Sequence, residues 1–199
     1  MKILLVKPVG DKYSQITGPD LGFGYLAAHL KRAGHEVEVL DSILLNLSYE
    51  DFGWEILRRG PDVVGFKAFT KDVRSTLNCA RIVKGIDKGI ITIVGGPHPS
   101  GSPKKTLEYL DACDYAFQGE AESALPMFLS VLERGWKDLS IVPGLVWREG
   151  GEIRVNPARF ETDLDSLGLP DWEVVGLEHY LFPYSIRVKG PYIPVMTSR

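Results

Sequence analysis

Short apolar runs of strand length alternate with amphipathic runs of helical length up to residue 134. This alternation constrains the fold more than any single motif. The runs at 2–7, 35–40, 62–67, 90–94 and 114–118 are strand-like, and those at 22–33, 49–59, 72–84, 102–110 and 122–134 read as helices. In the first helical run Leu26, Ala27 and Leu30 share a face and Gly34 stops it. Gly60-Pro61 closes the second, and Val73, Leu77, Ala80 and Val83 recur at helical spacing in the third. Ser102-Pro103 offers an N-cap and a first-turn proline for the fourth.

Five strand–helix units predict an α/β protein with a doubly wound parallel sheet and helices on both faces. Five strands favour the flavodoxin-like (Rossmann-like) order 2-1-3-4-5, whose ligand crevice lies between strands one and three at their carboxyl ends. The loops after strands one, three, four and five then meet at one rim. Beyond Gly135 the character changes. Residues 144–148 and 152–155 flank Glu149-Gly150-Gly151, a β-hairpin signal. The stretch from Asp163 to Trp172 loses period and reads as a surface-hugging strap. The expected organisation is a ligand-binding unit over 1–136, a hairpin extension over 137–160 and a linker strap over 161–199. Trp172, Tyr180, Phe182, Tyr184 and Tyr192 read as exposed aromatics that a neighbouring domain would cover. The last residues, 192–199, are strand-like, and the expectation is a piece of a longer polypeptide.

A hydrophobic fraction of 44% with 25% charged residues is globular composition, and a net charge of -3 supplies no general attraction for nucleic acid or an anionic membrane. No run is long and apolar enough to span a bilayer. Cys79 and Cys113 lie far apart without CxxC spacing, so neither a disulfide framework nor a zinc site is indicated. The expectation is a cytoplasmic protein with buried thiols.

The rim holds the residues that could carry chemistry. Gly95-Gly96-Pro97-His98, opening a turn that runs on to Pro103, follows a buried-type strand. Glycine there lets a ligand approach the main chain, while proline stiffens the surroundings. The loop 8–20, beginning Pro8-Val9-Gly10, is long for a strand-to-helix connection. It carries neither GxGxxG nor GxxxxGK[ST], so dinucleotide and P-loop readings lose their warrant. Gly22 and Gly24 open the first helix and suit either a flat ligand or tight helix–sheet packing. Lys67 and Thr70 follow the third strand; the lysine head either faces the crevice or reaches solvent. His98 either contacts a ligand or shapes its turn, while His29, His35 and His179 read as structural. Gly119-Glu120-Ala121-Glu122 follows the fifth strand, and its carboxylates suit a helix N-terminus as well as they suit binding. No Ser-His-Asp or Cys-His order suggests nucleophilic catalysis, and no complete catalytic site is legible.

Taken in order, these segments resemble the cobalamin-binding amino-terminal domain of radical S-adenosylmethionine enzymes. The resemblance spans essentially the whole chain. It rests on residues 2–8, 21–37 and 61–66, on Val94-Gly95-Gly96-Pro97-His98, on Gln118-Gly119-Glu120-Ala121-Glu122, and on Val142-Pro143-Gly144-Leu145, Asn156-Pro157 and residues 163–167. It implies cobalamin as cofactor and partner. It also implies a downstream radical domain of the same polypeptide carrying S-adenosylmethionine and a [4Fe-4S] cluster, so that this stretch binds but does not turn over alone. Methyl transfer is the commonest chemistry implied. Cobalamin modules with a histidine ligand carry Asp-x-His-x-x-Gly after the first strand; residues 8–19 contain no histidine. The resemblance therefore implies a base-off cofactor without histidine ligation, with Val9, Gly10 or a nearby loop side chain below cobalt. The corrin is expected against the first loop, the start of the first helix and Lys67-Ala68-Phe69-Thr70, with the nucleotide tail beside the turn at 95–102 and backbone N–H groups there meeting a phosphate. A flavin- or nucleotide-binding flavodoxin-like domain, or a cofactor-free interaction module, fits the same periodicity.

Overall fold

The computed structural model describes residues 1–10, 17–180 and 194–195. Its elements run β1 (Lys2–Lys7), α1 (Leu21–Arg32), β2 (Glu36–Asp41), α2 (Tyr49–Arg59), β3 (Val63–Lys67), α3 (Val73–Ile86), β4 (Ile91–Gly95), α4 (Pro97–Gly101), α5 (Pro103–Tyr109), β5 (Tyr115–Phe117), α6 (Ala124–Glu133), β6 (Leu145–Glu149), β7 (Glu152–Val155) and α7 (Trp172–Val175). The sheet order is β2-β1-β3-β4-β5-β6-β7. The first five strands are parallel in the expected order. The hairpin joins the β5 edge antiparallel, extending the sheet to seven strands. That addition covers an otherwise open edge.

Alternation along the strands sorts the core into two layers. On one face Leu4, Val6, Val64, Phe66 and Val94 pack with Phe52 and Ile56 of α2 and with α3 and α5. On the other, Ile3, Leu5, Val63 and Ile93 pack with Phe23 and Leu30 of α1 and Phe128 of α6. Arg148 of β6 donates to the carbonyls of Leu107, Leu110 and Cys113, tying the hairpin to the end of α5.

Three expectations are corrected. The stretch after β4 is not an open turn: Gly96, at φ 101°, reverses the chain, and Pro97 then starts the one-turn helix α4. Ser102 takes the N-cap position of α5 but makes no side-chain cap bond there. Tyr180 is not an exposed aromatic; it is 5% exposed and its hydroxyl donates to Asp41 at 3.0 Å. Trp172 is half-buried, and Phe182, Tyr184 and Tyr192 lie outside the described residues.

The strap lies along α1. His29 Nε2 sits 3.2 Å from the Leu167 carbonyl, Arg32 donates to that same oxygen at 2.9 Å, and the Asp171 N–H donates to the Gly24 carbonyl at 2.9 Å. Among the described residues no helix is long and apolar enough to cross a membrane.

Both cysteines are buried and unpaired, and burial pushes each thiol up to about 12. Reactivity requires the thiolate. The folded protein is therefore expected to leave both thiols unmodified by an aromatic disulfide reagent at mildly alkaline pH, and to expose both in denaturant. Rapid reaction of either thiol in the native state would contradict this packing.

Candidate functional site

A cavity of about 400 Å³ opens at the carboxyl ends of the central strands, between α1 and α6. Its floor is a row of residues in register across three strands: Leu5 of β1 beside Gly65 of β3, and Gly65 beside Ile93 of β4. A glycine inside a strand adds no packing, and it often marks close approach by a ligand or another backbone. A Cβ on Gly65 would meet only the end of Leu5, at 3.2 Å, so the rest of a longer side chain would enter the cavity. The walls are Phe23 and Leu26 of α1, Phe117 of β5 and Leu125 of α6.

The mouth is lined by Gly22, Lys67, Gly95, Gly96, Pro97, Ser100 and Gly119. Six of these seven were expected individually, and Ser100 lies within the turn expected at the rim. It stitches two loops together, donating to the Gly96 carbonyl at 2.9 Å and accepting from the Gly119 N–H at 3.0 Å. Lys67 does not run out to solvent. Its ammonium donates to both oxygens of Asp20, at 2.9 and 2.7 Å, and lies 5.5 Å from the Phe69 ring centre. Asp20 is buried and is also the N-cap of α1, accepting from the Phe23 N–H at 3.1 Å.

The other expected residues fall around the mouth or away from it. Pro8 and Val9 are buried, with Val9 in the core layer against α2 and α3. Gly10 is half-buried. Gly24 faces the strap: a Cβ there would lie 2.8 Å from Cβ of Pro170, so its smallness serves packing against the strap. Ala68 is buried and joins the loops after β3 and β4, donating to the Gly95 carbonyl and accepting from the His98 N–H. Phe69 and Thr70 are exposed, and Thr70 Oγ1 lies 3.1 Å from His98 Nδ1. Glu120 accepts from the Glu161 N–H at 2.8 Å, a tie to the chain after the hairpin. Glu122 lines the cavity and precedes α6, whose N-cap is Ser123.

Sequence reasoning did not single out Asp20 or Ser100 within the rim loops, and it missed Gly65 and the apolar walls. Asp20 carried a signal, since an aspartate after Gly18-Pro19 and directly before a helical run is an N-cap. Gly65, within an apolar run of strand length, carried another. A second buried carboxylate stands beside the site. Asp41 Oδ1 accepts from the Ile43 and Leu44 N–H groups, and its Oδ2 accepts from Thr17 and Tyr180 and pairs with Lys7 at 2.9 Å. Burial first, and then the Asp41 charge, pushes the Tyr180 phenol up, so it remains the donor in this contact.

An apolar slot beneath a glycine-lined rim, at the switch point of an open parallel sheet, is the position at which open α/β folds bind small ligands. Among the described residues no group of three or more His, Cys, Asp or Glu is placed to hold a metal ion.

Residues 9–129 match the B12 binding domain, and the chain belongs to that family. An uncharacterized methyltransferase of Pyrococcus horikoshii is 30% identical over 205 residues, covering all of this chain and 43% of its own length. The anaerobic magnesium-protoporphyrin IX monomethyl ester cyclase of Rubrivivax gelatinosus is 27% identical, over 96% of this chain and 36% of its own. The chain thus spans less than half the length of these relatives. Among solved structures, the cobalamin-dependent S-adenosylmethionine radical enzyme OxsB with aqua-cobalamin bound superposes with a TM-score of 0.74 at 21% identity, over 88% of this chain and 24% of its own. The radical S-adenosylmethionine methyltransferase TsrM from Kitasatospora setae, with cobalamin and a [4Fe-4S] cluster bound, gives 0.67 at 22% identity, over 82% of this chain and 30% of its own. These two share the fold.

Proposed function

We propose that this chain seats cobalamin base-off and without a histidine ligand, as the cofactor-holding part of a radical S-adenosylmethionine enzyme. The cavity floored by Gly65 carries the reading. It is apolar, it lies beneath the mouth glycines Gly22, Gly95, Gly96 and Gly119, and its volume suits the base and ribose of a nucleotide tail. The corrin would rest on the rim above it, against Pro8, Val9, Gly10, the start of α1 and Lys67-Ala68-Phe69-Thr70, with His98 and Glu120 at the edges. Bound cobalamin would supply methyl transfer or related chemistry. The chain's own residues orient the cofactor and control access to its faces. The longer relatives, methyltransferases among them, support a downstream domain in the same polypeptide that holds S-adenosylmethionine and the cluster, with the hairpin and strap (137–160 and 161–199) leading to it.

The absence of histidine from residues 8–19 motivates the ligation claim. Purified protein mixed with hydroxocobalamin is expected to retain it through desalting. After reduction to the cob(II) state, its electron paramagnetic resonance spectrum should lack the nitrogen superhyperfine splitting that an axial imidazole or benzimidazole imposes. Failure to retain cobalamin would refute binding. Retention with nitrogen splitting would refute the base-off, histidine-free mode alone. Retention of flavin mononucleotide in place of cobalamin would favour a flavodoxin-like reading.

A further inference from the structure

We infer that Lys67, held in place by Asp20, is the group that receives the phosphodiester of the nucleotide tail, with Asp20 as its positioning residue; this rests on the cobalamin reading above. Lys67 lies on the same strand face as Gly65 and one pleat repeat closer to the rim. Its backbone is therefore about 6.6 Å above the cavity floor. A ligand with a flat apolar ring over Gly65 and an anionic link rising toward the corrin brings that link to the level of Lys67.

Three observations make this a built position. The ammonium is partly shielded, with the Lys67 side chain 25% exposed and Asp20 6% exposed, so a contact there is less screened than one at the open surface. The two bonds to Asp20 occupy two of the three N–H donors of an ammonium and leave one for a ligand oxygen. Finally, glycines clear both sides of the lysine. A Cβ on Gly22 would sit 3.8 Å from Lys67 Nζ and 3.3 Å from Asp20 Oδ1, and one on Gly96 would sit 3.2 Å from Lys67 Cγ. Side chains at either position would crowd the ion pair and the stem that carries it. Gly96, at φ 101°, is also in a conformation that other residues rarely adopt.

The test compares cobalamin with cobinamide, which keeps the corrin but lacks the phosphate, ribose and base. A charge-assisted hydrogen bond is worth about 1.5–3 kcal/mol, or roughly ten- to a hundredfold in affinity. Lys67→Met keeps the stem and removes the charge. It is expected to weaken cobalamin by that factor, measured by calorimetry on the 199-residue chain, and to weaken cobinamide, which meets this lysine only at the corrin edge, by much less. Lys67→Arg should restore most of the difference. In the wild-type protein the preference for cobalamin over cobinamide should fall as salt is raised, a measurement that needs no variant. Equal weakening of both corrinoids by Lys67→Met, no weakening of either, or a salt-independent preference would each overturn the inference while leaving the cobalamin reading standing. Wild-type protein that binds neither corrinoid would overturn both.

Discussion

A Gly65→Leu variant is expected to fold and to lose cobalamin. The added Cβ meets only the end of the Leu5 side chain, at 3.2 Å, and the remaining carbons project into the cavity between α1 and α6. Leucine in the central strand restores packing that glycine forgoes, so the melting temperature should hold or rise. Binding suffers because the slot is filled. A flat aromatic group buries about 150–250 Å², worth about 4–6 kcal/mol at ~25 cal/mol per Å². Association retains only part of such a gain, and half of it still corresponds to roughly thirty- to 150-fold in affinity. Cobinamide, having no tail to seat, should bind the variant and the wild type alike. Undiminished cobalamin affinity in a folded Gly65→Leu protein would show that the tail does not occupy this cavity.

The second large effect is on stability. Asp41 is the acceptor for five groups: two backbone N–H groups in the turn after β2, the Thr17 and Tyr180 hydroxyls, and the Lys7 ammonium. Its side chain is 2% exposed and that of Lys7 is 14% exposed. Asp41→Ala strands a partly buried cation and a buried phenol, and breaking one side of a buried pair costs about 3–5 kcal/mol. The expected result is a lower denaturant midpoint with an unchanged slope. Tyr180→Phe removes one hydrogen bond and should cost about 1 kcal/mol. A loss below about 1 kcal/mol for Asp41→Ala would show that this cluster is not an anchor. Two distant segments depend on it: the first loop, through Thr17, and the strap, through Tyr180. Lys7 also donates to the Gly18 carbonyl at 2.5 Å, extending the anchor toward the N-cap of α1. The cluster therefore ties the residues leading into α1 to the strap at Tyr180.

Much of the fold was legible because its signals are local. Helix α2 has the expected bounds, since Ser48 and Asp51 form a capping box at one end and Gly60 adopts a left-handed cap at the other. The five parallel strands lie within two residues of where their apolar runs place them, and the strand order follows from the connection rules of doubly wound sheets. The short helix α4 was not legible. Three prolines and three glycines in the nine residues 95–103 read as a turn, yet Pro97 at the first helical position is what a helix start tolerates. The rim was legible in outline through its glycines. Its inner wall was not, because Leu5, Phe23 and Ile93 look like ordinary core residues, and only the register across β1, β3 and β4 shows that Gly65 leaves a gap among them.

By itself the sequence determined what depends on neighbours a few residues apart: the alternation of elements, the helix ends, the doubly wound sheet, and the lack of a histidine in the first loop. The tertiary structure alone decided which side chains meet across long separations. It brings Asp20 to Lys67 and Asp41 to Tyr180, turns Gly24 toward the strap, and joins the hairpin to the sheet edge. The physical reason is that a charge or a gap has no fixed partner along an unfolded chain. It acquires one only when strand register and helix packing set the distance.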